Sequence, residues 1–168
     1  MIEKPVVKWF IRISCVIMAV GIMATAVSAA LVVGMDSMVY SCSGEDACII
    51  QLDFSNRRVR YLKYTSVYDN RWMEGEMTDF MAWRLKFSAA FANAPLWLEN
   101  YTNGSEEQAD AWSMDMRFGN RVKTCRGVGE YPVRWKMIIR KIMNIAEIFP
   151  EMPEEYRTLP ENAGAAYI

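Results

Sequence analysis

The hydrophobic and polar positions divide the chain into two parts that meet near residue 36. Residues 13–35, "ISCVIMAVGIMATAVSAALVVGM", contain no charged side chain over 23 positions. A helix of that length measures about 34 Å, whereas the hydrocarbon core of a bilayer is about 30 Å thick. The segment therefore predicts one transmembrane helix.

The charges that flank this segment predict its orientation. Lys4, Lys8 and Arg12 precede it and Asp36 follows it. The positive-inside rule therefore places residues 1–12 in the cytoplasm, or on the matrix or stromal side. Residues 36–149 then form a domain in the periplasm, a lumen, the intermembrane space or the exterior. The Pro-rich, acidic residues 150–168 are predicted to form an extended tail.

The apolar segment also has a feature of a cleavable signal peptide. Val27, Ser28 and Ala29 make a small-x-small site before Ala30. The apolar run continues through Gly34, however, and is longer than the 7–15 residues of a signal-peptide core. We therefore predict a retained signal anchor.

Small residues recur every four positions in the same segment. Such rows let a second membrane helix approach closely. The predicted partner-packing residues are Gly21, Thr25 and Ala29 in one row and Ala26, Ala30 and Gly34 in the other.

Beyond the membrane, the pattern predicts one hairpin and three helices. Near-alternation of polar and apolar residues predicts strands over 48–54 and 58–68. Helical periodicity predicts helices over 78–94, 106–122 and 132–149. The predicted fold is a single-pass membrane protein, with one N-terminal transmembrane helix and a small helix-dominated α+β extramembrane domain.

Two of these helices carry candidate contact surfaces. The first has an aromatic stripe at helical spacing, which we interpret as core. The last has an apolar face and a basic cluster, which favours either a membrane-surface or partner contact or a core helix with a basic outer face. The stripe comprises Phe80, Trp83, Phe87, Ala90, Phe91 and Ala94, and the cluster comprises Arg134, Lys136, Arg140 and Lys141.

Composition narrows the chemistry. The chain has no histidine, which excludes catalysis or metal binding by its own imidazoles. Carboxylates are plentiful, but their spacing singles out no acid–base pair. We therefore predict no catalytic, cofactor-binding or metal-binding residues and no small-molecule substrate. The net charge of −1 gives no reason to expect nucleic acid.

Cysteine positions predict a disulfide without settling its connectivity. Cys42 and Cys48 can close a small loop, and Cys125 can instead pair with either one. Two consecutive sequons make Asn100 and Asn103 glycosylation candidates if the domain enters a eukaryotic secretory lumen.

Two non-catalytic functions fit these features, and a third class, an enzyme, is disfavoured because it would have to act through carboxylates or Cys125 without an imidazole. The first is a non-catalytic accessory subunit of a respiratory, photosynthetic or channel-type membrane complex, whose partners are other membrane-protein subunits and the lipid bilayer. The alternative is a glycosylated receptor- or channel-auxiliary binding module of a cell surface or secretory lumen.

Overall fold

A computed structural model describes residues 4–44, 47–64, 70–102 and 110–146 of the protein. The chain begins with a long helix and continues into a sheet that helices cover. The elements are α1 (Lys4–Val33), β1 (Ser37–Cys42), β2 (Cys48–Asp53), β3 (Arg58–Tyr64), β4 (Asn70–Glu76), α2 (Asp79–Phe91), a 3₁₀ turn (Ala94–Leu96), β5 (Asn100–Thr102), β6 (Ala111–Phe118), β7 (Arg121–Val128) and α3 (Trp135–Ala146).

The strands form one sheet of seven in the order β4-β3-β2-β1-β6-β7-β5. Neighbouring strands are antiparallel except β5, which runs parallel to β7. The predicted hairpin is present as β2 and β3, and residues 65–68 of its predicted second strand lie outside the described residues. The prediction of a helix-dominated domain was wrong, because the domain is rich in sheet.

The largest error lies in the predicted helix over 106–122. Its described part, from residue 110, forms β6 and the start of β7. Trp112, Met114 and Met116 are buried in strict alternation, which is the period of a strand with one covered face. Gly119, with φ of +58°, lies in the turn that joins the two strands. In the sequence, the three- and four-residue spacings of Ala109, Trp112 and Met116 also fit a helix.

The core lies between one face of the sheet and the helices. Tyr40, Ile50 and Tyr61 lie opposite one another on β1, β2 and β3, and all three are buried. They belong to the same apolar cluster as Leu85 of α2 and Ile142 of α3. Side chains alternate along strands, so a second, smaller cluster on β2, β3 and β4 lies on the opposite face. It contains Ile49, Leu62 and Trp72.

α1 is the most apolar element. Its stretch Trp9–Val33 is long and apolar enough to cross a membrane, and a signal sequence near an N-terminus meets the same criteria. Most of its large side chains are exposed. The exception is its end, where Ser28, Val32 and the following Met35 are buried.

Candidate functional site

The end of α1 packs against the sheet domain, and this junction is the first candidate functional feature. Ser28 and Val32 lie one helical turn apart, and Met35 continues the same side of the chain. α1 contacts α2 and the 3₁₀ turn. The Lys86 Nζ atom donates a hydrogen bond to the Val33 carbonyl oxygen at 3.1 Å. A cation there also suits the negative end of the helix dipole.

Burial lowers the pKa of Lys86 below its usual range, and the nearby Asp36 carboxylate partly offsets this effect. The Lys86 amino group also lies 5.2 Å from the centroid of the Phe54 ring. These contacts join the end of α1 to α2 and to the residue after β2. The long apolar helix is therefore continuous with the packed domain.

The two small-residue rows lie differently around this junction. Ala26 and Ala30 lie on the side of α1 opposite Ser28 and Val32, Gly34 directly follows the end of α1, and all three are exposed. In the other row, Gly21 and Ala29 are exposed and Thr25 is half-buried. The Thr25 hydroxyl donates to the Gly21 carbonyl oxygen at 3.0 Å. The row of Ala26, Ala30 and Gly34 thus leaves a helix surface that the described part of the domain does not cover.

α2 packs with the opposite face to the one its sequence suggests. Its buried residues are Ala82, Leu85, Ala89 and Ala90, whereas Phe80, Trp83, Phe87 and Phe91 are exposed. The interpretation of the aromatic stripe as core was therefore wrong for its four rings and right for Ala90 and Ala94. Small alanines allow the neighbouring elements to approach α2 closely, and the bulky rings point the other way.

The four exposed rings, Phe80, Trp83, Phe87 and Phe91, are called here the aromatic face. Three of them stack in sequence, with ring centroids 6.3 Å apart for Phe80 and Trp83 and 5.3 Å apart for Trp83 and Phe87. Two guanidinium groups border the face. Arg84 lies 5.5 Å from the Phe80 centroid, and Arg134 lies 4.4 Å from the Phe91 centroid.

The basic cluster of α3 surrounds a helix that is anchored in the core. Trp135, Ile138 and Ile142 are buried, so the apolar face is not available for insertion into a membrane. Lys136 and Arg140 are exposed and Lys141 is half-buried. Arg134 lies just before the helix and donates a hydrogen bond to the Phe91 carbonyl oxygen. Membrane-surface or partner contact by these side chains stays a prediction.

The structure brings two of the candidate cysteines together. Cys42 and Cys48 are directly opposite on β1 and β2, and their Sγ atoms are 3.0 Å apart. Cys125 is buried on β7, two strands away from Cys42. The residue of β7 that lies level with Cys42 is Gly127, and Cys125 comes two residues before Gly127. Two strand spacings amount to about 10 Å, which exceeds the separation that a disulfide bridges.

One of the two glycosylation candidates is described. Asn100 and the sequon hydroxyl residue Thr102 are exposed in β5. Asn103 and the predicted tail over 150–168 lie outside the described residues.

A polar groove on the open face of the sheet was not predicted. Its volume is about 460 Å³, and it lies over β1, β5, β6 and β7. The Ser41 and Ser113 hydroxyl oxygens are 2.7 Å apart, and the Thr124 hydroxyl donates to an Asp115 carboxylate oxygen at 2.6 Å. Arg126 also lines the groove. These polar groups follow the strand alternation of β1, β6 and β7, so an assignment of β6 would have revealed them.

The groove holds hydroxyls, one carboxylate and one guanidinium, which suits hydrogen bonding to a polar ligand. Among the residues that the structure describes, no group of three or more histidine, cysteine or acidic side chains is arranged to hold a metal ion. No protein-family model matches the chain, and no curated protein shows significant similarity to it.

Proposed function

We propose that this protein is a non-catalytic structural accessory subunit of a larger multi-subunit membrane complex of the respiratory, photosynthetic or channel type. α1 crosses the bilayer with the N-terminus inside, and the sheet domain lies on the outer side. Other subunits contact α1 within the membrane and the domain outside it.

The observation that carries the proposal is the packing at the end of α1. Ser28 and Val32, on either side of the cleavage-like position before Ala30, are both buried against the domain. A helix that contributes to the domain's packing is suited to stay attached, whereas a signal peptide is discarded. The remaining exposed apolar surface of α1 requires lipid or another helix around it.

The row of Ala26, Ala30 and Gly34 supports a helical partner. It lies on the side of α1 that faces away from the domain, so a second helix can reach it without displacing α2. Close approach of helix backbones is the mode of association that small residues favour in membranes.

Extraction in a mild detergent tests this proposal. We expect the protein to co-migrate with a large complex in native gels. The variant Ala26→Leu with Ala30→Leu should shift it to lower mass, because the added side chains fill the groove. Met18→Leu with Ile22→Leu, at exposed positions outside that row, should leave migration unchanged. A monodisperse monomer in the unmodified protein would overturn the proposal.

The outward location has an independent test at Cys42 and Cys48. An oxidising compartment should convert this pair into a disulfide, since the sulfur atoms already lie 3.0 Å apart. We expect both thiols to resist alkylation in denatured, unreduced protein and to react after reduction. Alkylation of both without reduction would argue against an oxidising compartment.

A second candidate is a glycosylated receptor- or channel-auxiliary binding module of a cell surface or secretory lumen. The exposure of Asn100 and Thr102 beside the polar groove favours it. Treatment with an N-glycosidase tests it: a fall in mass that Asn100→Gln abolishes would support this candidate over the first.

A further inference from the structure

The exposed apolar surface of the domain is concentrated in one segment. Outside α1, the described residues include nine large apolar side chains with high exposure, and six of them lie between residues 80 and 98. They are the aromatic face together with Leu96 and Leu98. A folded domain that concentrates apolar side chains in this way normally covers them with a partner or a membrane.

This segment is also the part of the domain that holds α1. α2 and the 3₁₀ turn both contact α1, and Lys86 binds the carbonyl oxygen of Val33, the last residue of the apolar span. α2 therefore lies beside the point where the span ends. The uncovered surface of α1 and the aromatic face belong to adjoining elements.

The composition of this surface matches that of a bilayer interface. Helices that lie in the bilayer interface carry Trp, Phe and Leu on the face that enters the boundary of headgroups and acyl chains, and cations beside that face bind lipid phosphates. Arg84 lies over the Phe80 ring and Arg134 lies over the Phe91 ring, and Lys86, on the same helix as Arg84, lies at the end of α1. The acidic residue of α2, Asp79, forms an ion pair with Arg57. The border of the aromatic face is therefore positively charged.

We propose that the aromatic face lies in the outer interface of the bilayer that α1 crosses. Trp83 and Phe87 contact the boundary of headgroups and acyl chains, and the surrounding cations contact lipid phosphates. This inference rests on the proposed membrane anchoring by α1. A second attachment beside the helix exit fixes how the sheet domain is tilted over the membrane, and so which of its surfaces meets a partner subunit.

Quenching of tryptophan fluorescence by lipids tests the inference. The full chain is reconstituted in vesicles of phosphatidylcholine and phosphatidylglycerol that carry a nitroxide near the top of the acyl chain. Trp9 reports on α1 and Trp83 on the aromatic face. Trp72, buried on the opposite face of the sheet, provides the matched control. The variants are Trp9→Phe, Trp83→Phe and Trp72→Phe.

Trp9 and Trp83 are the exposed tryptophans of the described chain, at 62% and 59% exposure. We therefore expect Trp83→Phe to remove about half of the quenchable fluorescence, as interfacial placement requires. Trp72→Phe should leave the quenchable fluorescence unchanged.

The two variants distinguish failure of the interfacial placement of the aromatic face from failure of membrane anchoring by α1. If Trp9→Phe reduces quenching and Trp83→Phe does not, α1 is in the bilayer and the inference is overturned. The aromatic face then serves a protein partner or remains in water. If neither variant changes the quenching, the anchoring proposal fails and the inference fails with it.

Discussion

The inverted packing of α2 makes a direct prediction about stability. Leu85 is almost fully buried on its inner face, and Phe87, two residues later, is 57% exposed on the aromatic face. Leu85→Ala removes a core side chain and leaves a cavity, which costs about 3 kcal/mol within a usual range of roughly 2–5 kcal/mol. Phe87→Ala removes a larger side chain, yet should cost less.

The expected free-energy cost of Phe87→Ala follows from the surface area of Phe87 that the fold buries. A fully buried aromatic side chain covers about 200 Å², so the 43% of Phe87 that is covered corresponds to about 90 Å². At about 25 cal/mol per Å², the upper limit is about 2 kcal/mol. Alanine is the better helix former by roughly 0.5 kcal/mol, which lowers the cost further.

Urea unfolding of the full chain in a mild non-ionic detergent measures both free energies. With a slope of about 2 kcal/mol per molar urea, Leu85→Ala should lower the midpoint by about 1.5 M and Phe87→Ala by less than about 0.8 M. Near-ultraviolet circular dichroism of each variant checks that it is folded before urea is added. A larger loss for Phe87→Ala than for Leu85→Ala would show that the aromatic stripe is the core face.

Three further predictions concern single contacts. Thr78→Ala removes the side-chain cap that accepts from the Met81 amide and should lower the free energy of unfolding by about 1 kcal/mol, measured by urea titration. Gly127→Ala places a methyl group 2.7 Å from the Trp112 ring and from a backbone oxygen, so it should destabilise the protein more than Thr78→Ala in the same assay; an equal or smaller loss would contradict this packing. Burial raises the pKa of Cys125 from 9.0 to about 11, so its alkylation at pH 8 should be about a hundred-fold slower in folded than in unfolded protein. Between pH 9 and about 11 the folded protein keeps the Cys125 thiol protonated, whereas the unfolded chain releases that proton. The free energy of unfolding should therefore fall as the pH rises through this range, and Cys125→Ser should remove the part of the fall that this thiol causes.

The elements that the sequence predicted correctly are those whose patterns depend on local spacing. The uninterrupted apolar run identified α1, and alternation identified β2 and β3. The N-cap Thr78 marked the start of α2, and α3 follows the predicted period, although it begins at Trp135 rather than at Pro132. β1 begins at Ser37, two residues after the uncharged run 13–35, and the run obscured it. β6 was mistaken for a helix because Trp112 and Met116 fit both periods.

The functional surfaces were harder to predict because they depend on how the elements pack against one another in the tertiary structure. α2 carries apolar residues on both sides, so its sequence does not determine which side is buried. The alanine side was selected by the close approach of neighbouring elements, which a single helix pattern does not encode. The groove containing Ser41, Ser113 and Asp115 joins strands that are about seventy residues apart in the chain.

The central claim is that α1 remains part of the protein and holds the domain at a membrane. Mass-spectrometric peptide mapping of the protein from alkaline-washed native membranes tests it most directly. We expect the protein to resist the wash and peptides covering residues 13–29 to be recovered in the same amount as domain peptides. Release of a protein whose first residue is Ala30 would show instead that α1 is cleaved as a signal peptide.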